Sequence, residues 1–123
     1  MMYLSHPYTH PNQAVMHARF QVAQEACSIL ALEGINVYAP VCHWHEISRS
    51  YDLPTDAHWW RKMNFDAVNR CDGIYILTMP GWKESEGVQM ELGWAENKPH
   101  FMINYMVPTN MQSYKDRKMT LEV

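Results

Sequence analysis

The sequence predicts an α/β protein: one domain with a doubly wound parallel sheet of about four strands and helices on both faces. Three observations predict it. Short apolar runs alternate with helical patterns four times along the chain. The most continuous of these runs, Gly73 to Leu77, is broken by Pro80-Gly81 and leads into a helical pattern from about Ser85 to Asn97. A chain of 123 residues with 47% hydrophobic content also suits a single compact core and leaves no room for a second domain.

Met2-Tyr3-Leu4-Ser5 reads as the first strand, cut off by the turn-forming stretch from His6 to Pro11. Between Asn12 and Glu33 the apolar positions Val15, Val22, Ala26, Ile29 and Leu30 keep helical spacing, and Gly34 suits the residue just past the helix end. Ile35 to Val41, rich in β-branched and aromatic residues, reads as the second strand. The polar stretch from Cys42 to Asp52 reads as a loop whose His and Trp residues line a pocket. Thr55 or Asp56 caps a helix that runs to about Arg70. Asp72-Gly73 turns into the third strand, Ile74 to Thr78, and His100 to Ile103 form the fourth. Residues 104–123 have no clear period and read as a C-terminal tail with at most one helical turn. The simplest strand order is 2-1-3-4, as in flavodoxin-like sheets, whose switch point brings Ser5 and Tyr8 beside the segment from Pro80 to Glu91.

Composition excludes several classes. A net charge of -3 without any Lys/Arg run argues against a nucleic-acid polymer as partner, while a small anion remains admissible. Three cysteines without Cys-x-x-Cys spacing fit reduced thiols in a cytoplasm better than a disulfide framework or a zinc ribbon. No apolar stretch approaches a membrane span, and no basic segment followed by an apolar one opens the chain, so neither a membrane partner nor export is expected. Ten Met and five Trp favour a homo-oligomer, dimer or tetramer. Phosphate-binding loops, dinucleotide fingerprints and serine elbows are missing, and His43 and His45 have no third ligand at metal-binding spacing. Neither a metal nor an organic cofactor is expected.

The strand-loop-helix from Gly73 to Asn97 is where chemistry is expected. Ser85 caps the helix, Gly87 lets a ligand approach the backbone, and the free N–H groups there favour an anion. Glu91 falls beside the apolar stripe of Val88, Leu92 and Ala95, an inward place for a carboxylate that calls for a partner or a hydrated cleft. Such a carboxylate suits attack on an electrophilic sugar carbon. Arg19, on the inner stripe of the first helix, either snorkels or reaches the site. Trp82, after Pro80-Gly81, is a candidate ligand or subunit contact.

Tyr3-Leu4-Ser5, then Asp72-Gly73-Ile74-Tyr75, then Ser85-x-Gly87-Val88-x-x-Glu91-Leu92-Gly93-x-Ala95 resemble the nucleoside 2-deoxyribosyltransferase superfamily, which includes 2'-deoxynucleoside 5'-monophosphate N-glycosidases. The resemblance spans Tyr3 to about Ile103. It implies that Glu91 is the nucleophile taking the 2-deoxyribosyl group, that Tyr3 orients it, and that Ser85 helps to hold a 5'-phosphate. Asn64 stands eight residues before Asp72, where the family has the aspartate that protonates the leaving base. Asp66 is the acid expected in its stead. The loop after the first strand also lacks the arginine of the hydrolases, which leaves His10, His17 or Arg19 to contact phosphate. The implied ligand is a small nucleoside or nucleotide, and the implied reaction is cleavage or transfer at its N-glycosidic bond. The alternative is a nucleotide-binding or sensing module that has lost catalysis.

Overall fold

The computed structural model describes residues 1–106 and 118–122, the last five and Met106 by their backbone alone. The elements follow in the order β1 (Met2–Ser5), α1 (Gln13–Leu32), β2 (Val37–Tyr38), α2 (Pro40–Tyr51), α3 (Ala57–Arg70), β3 (Gly73–Leu77), α4 (Glu86–Trp94), β4 (His100–Met106) and β5 (Lys118–Glu122). One sheet runs in the order β2-β1-β3-β4-β5. Its first four strands are parallel, as expected, and β5 adds an antiparallel strand beside β4.

The tail is therefore partly sheet. β4 runs three residues past Ile103, and Lys118–Glu122 pair with it from Met102 to Met106. The other tail residues, 107–117 and 123, on which the expectation of a helical turn also bears, lie outside the described residues.

Successive residues of β1 and β3 point to opposite faces, so the core divides in two. Leu4, Tyr75 and Leu77 pack with Val22, Ala23, Ala26 and Leu30 of α1. Tyr3, Ile74 and Ile76 pack instead with Val68 of α3 and Val88 of α4. All five residues of β3 are buried, which is why this strand reads as a continuous apolar run rather than an alternation. No helix of the described residues is long and apolar enough to cross a membrane.

Two expectations change. β2 comprises only Val37 and Tyr38, because Pro40 opens a helix two residues on: its ring fixes φ, and the N–H it lacks is one that a helix's first turn leaves unpaired. The loop expected from Cys42 to Asp52 is α2, closed by Asp52 in the left-handed region at φ 54°. The polar pattern hid this helix, since its buried side includes Pro40, His45 and Ser48. The other helices start at their capping residues. Asn12, Asp56 and Ser85 each accept a backbone N–H from the first turn of α1, α3 and α4.

Gly73 marks the tightest approach in the sheet. A Cβ here would lie 2.7 Å from the Pro99 carbonyl oxygen and 2.6 Å from Met2 Cε. Gly34, at φ +75°, has open space around it and needs only its left-handed backbone. Gly73→Ala is expected to lower the unfolding free energy by about 3 kcal/mol and Gly34→Ala by about 1 kcal/mol. Urea denaturation of the two variants measures the difference, and equal losses would contradict the close approach at Gly73.

Candidate active site

Tyr3 and Ser5 lie two residues apart on β1 and so project to one face of the sheet, the face that α4 covers. On α4 the buried residues Val88 and Glu91 are one helical turn apart, which turns Glu91 toward β1. Both carboxylate oxygens are held. The Tyr3 hydroxyl donates to Oε2, and the Ser5 hydroxyl donates to Oε1 at 2.7 Å.

Glu91 is only 7% exposed. Burial pushes its carboxyl up to about 7, against the pull of the Tyr3 and Ser5 hydrogen bonds, which favour the ionised form. Tyr3, fully buried, has its hydroxyl pushed well above the usual range, by burial first and by the neighbouring Glu91 charge second. It therefore stays a proton donor to the carboxylate.

Glu91 lies on the wall of a cavity of about 470 Å³, a volume within the range of small-molecule sites. The loop after β1 supplies His6, Pro7, Tyr8 and Thr9, and α1 supplies Arg19. Trp44, His45 and Ser48 come from α2. Asp56, His58, Trp60 and Asn64 come from the start of α3, and Gly81, Glu84, Ser85, Glu86 and Gly87 from the turn into α4.

Of the residues singled out from sequence, Tyr3, Ser5 and Glu91 converge on one cluster, while Tyr8, Arg19, Ser85 and Gly87 line the same cavity. Ser85 acts as the α4 cap, accepting the Val88 N–H at 3.3 Å. A Cβ at Gly87 would meet Ala57 at 3.7 Å, an ordinary contact, so no close approach demands glycine there. The Arg19 guanidinium donates to the Tyr8 and Thr9 carbonyls and stands 3.2 Å from where a Gly81 Cβ would be.

Two candidates lie elsewhere. Asp66 is exposed and accepts both contacts of Arg70 Nε, at 3.0 and 3.1 Å, one turn along α3. Two helical residues differ by about 200° in direction, so with Asn64 facing the cavity Asp66 faces away. It lies outside the cavity lining. Trp82 is half-buried against the cluster around Tyr3 and Val68, outside the cavity lining, with Lys83 Nζ 5.6 Å from its ring centre. Of the histidines, His10 accepts the Asn12 N–H on the α1 approach.

Several lining groups carried no signal in the sequence. His6 is buried, with Nδ1 2.9 Å from the Pro7 carbonyl and no partner for Nε2, and burial pushes its imidazole down to about 4. His58 Nε2 pairs with Glu86 at 2.6 Å, joining the starts of α3 and α4. Asp56 was legible only as a helix cap. With Glu84 and Glu86 it gives the cavity an acidic rim, opposed by Arg19.

His45 is held on both sides. Its Nδ1 lies 2.7 Å from the Tyr8 hydroxyl and its Nε2 3.0 Å from His17 Nδ1, while Phe20 stacks on its ring at 4.2 Å. His17, His45 and Glu46 place one donor atom each within 4.8 Å, a grouping of a size that could hold a cation. As arranged, both His45 nitrogens are engaged in the hydrogen-bonded chain instead.

Because the folded pKa of Glu91 lies above its ordinary 4.5, the penalty of burying the carboxylate is absent below about pH 4.5 and complete above about pH 7. A rise from 4.5 to about 7 corresponds to about 3 kcal/mol. Glu91→Gln is accordingly expected to be more stable than the wild type at pH 8.5 by up to that amount, with the gain vanishing near pH 4. Thermal melts across this range measure it, and a gain independent of pH would show that the carboxyl does not titrate there.

No curated protein matches the chain. A family model described as a domain of unknown function (DUF1937) matches residues 1–106, which include every element that builds the cavity. The chain belongs to the DUF1937 family.

Proposed function

We propose that this protein cleaves or transfers at the N-glycosidic bond of a 2'-deoxynucleoside, with Glu91 as nucleophile. The observation that carries this reading is the buried Glu91 carboxylate, held at both oxygens by Tyr3 and Ser5 on the wall of a cavity large enough for a nucleoside. The likeness of these residues and of Ser85 to the nucleoside 2-deoxyribosyltransferase superfamily supports the same chemistry. A carboxylate stripped of water and aimed by two hydroxyls can close on an electron-poor C1' and form a glycosyl ester, which water or a second base then opens.

The cavity electrostatics favour a nucleoside over its 5'-monophosphate. Asp56, Glu84 and Glu86 stand against Arg19, whose Nη1 already donates to two backbone carbonyls. Glu86 also sits in the first turn of α4 and offsets the attraction of that helix end for an anion. Three free thiols support a reducing cytoplasm as the compartment, and exposed Trp59, Met63 and Phe65 along α3 support self-association.

Asn64 on the cavity wall favours a second reading, a nucleoside-binding or sensing module without turnover. Incubation with a panel of deoxynucleosides and their monophosphates, followed by chromatography for free or exchanged base, decides between them. The expected result is base release from at least one deoxynucleoside, weaker release from its monophosphate, and a loss of at least about 1000-fold in Glu91→Gln, which keeps the shape and lacks the nucleophile. Since the nucleophile must be ionised, kcat/KM is expected to rise with pH and level off above about 7. Binding without any base release, at equal affinity in the wild type and Glu91→Ala, would establish the second reading.

A further inference from the structure

Breaking an N-glycosidic bond leaves an electron pair on the base, and an unactivated base departs slowly unless a proton meets it. Given the N-glycosidic reading above, on which this inference rests, the cavity must supply that proton from somewhere other than Asn64, an amide, or Asp66, which faces away.

The candidates on the cavity wall are few. His6 is locked by the Pro7 carbonyl, and burial keeps it neutral at ordinary pH. His58 and Asp56 are committed to Glu86 and to the α3 cap. Tyr8 is different. Tyr8 lines the cavity, and behind its hydroxyl runs a continuous chain: His45 Nδ1 at 2.7 Å, then from His45 Nε2 to His17 Nδ1 at 3.0 Å. The outer member, His17, is only half-buried and can exchange protons with solvent.

We propose that Tyr8, backed by His45 and His17, delivers the proton to the leaving base. The C1'–N bond breaks with its electron pair going to the base as the C1'–Oε bond to Glu91 forms. The Tyr8 hydroxyl proton moves to a base heteroatom, and Tyr8 Oη takes the proton from His45 Nδ1. His45 Nε2 then takes the Nδ1 proton of His17 as His17 Nε2 takes one from solvent, so both imidazoles change tautomer and neither holds a charge. Keeping His45 neutral suits its surroundings, because burial opposes a charge on it and the Phe20 ring covers one face.

The test is a leaving-group series on the intact protein: deoxyuridines with base acidity varied at the 5-position, together with 2'-deoxyguanosine and its 7-methyl derivative. The 7-methylated base is already cationic and departs neutral without a proton. Tyr8→Phe, which removes one hydroxyl and little volume, is expected to lower kcat/KM by about 100-fold on the poorest leaving groups and by less than about threefold on the 7-methylated substrate. His17→Gln, at a half-buried position that threatens the fold less, should show the same trend at about tenfold. Glu91→Gln should abolish turnover of the entire series.

Equal losses on good and poor leaving groups, or no loss in either variant, would overturn the proton role while leaving the glycosidic activity intact. No turnover of any member by the wild type would instead remove the N-glycosidic reading, and this proposal with it.

Discussion

A carboxylate buried between a strand and a helix is the constraint on which the rest of this structure depends. Left unpartnered, Glu91 would be a large penalty; two hydroxyl donors on alternate residues of β1 offset part of it. That arrangement needs β1 in parallel register with β3, Tyr3 opposite Ile74 and Ser5 opposite Ile76, because β3 leads directly into the turn that sets the position of α4. It also needs α4 to begin at Ser85, since a shift of one residue would rotate Glu91 about 100° away from β1. Even so, burial outweighs the hydrogen bonds and leaves the carboxyl near 7. A protein that retains such a group accepts lower stability at neutral pH, which is common where a charge has chemical work to do.

Much of this was legible in the sequence, for identifiable reasons. β1, β3 and α4 carry direct signals: a short strand cut off by a turn, a continuous apolar run, and an inward glutamate out of keeping with its stripe. Strand order followed from the alternation of strands and helices, and Asn12, Asp56 and Ser85 marked helix starts because each side chain satisfies a backbone N–H. What was not legible lies in α2 and in the tail. α2 turns a histidine and a serine inward to the cavity, so apolar periodicity could not reveal it. β5 pairs with β4 across an intervening segment, a long-range choice that no local pattern records. Asp66 lies off the cavity for a simpler reason: closeness in sequence to Asn64 is not closeness in direction on a helix.

The chemistry of the cavity is unevenly spread. Its buried carboxylate and the hydroxyls that hold it come from α4 and β1. Its aromatic surface, its histidine chain and part of its acidic rim come from α2, α3 and the loop after β1. Tyr8 links the two regions, since it leaves β1 three residues after Ser5 and meets His45 of α2.

The slight burial of α3 has an evolutionary consequence. Of its fourteen residues Val68 alone is buried, yet Asp56 at its cap and His58, Trp60 and Asn64 within it all border the cavity. Substitutions at the last three positions would reshape what the cavity admits while disturbing neither side of the core nor the helix cap, so mutational drift along this crossover can explore new ligands at little risk to folding. A scaffold of this kind keeps the residues that shape the cavity apart from those that hold its buried carboxylate, so the two can change independently.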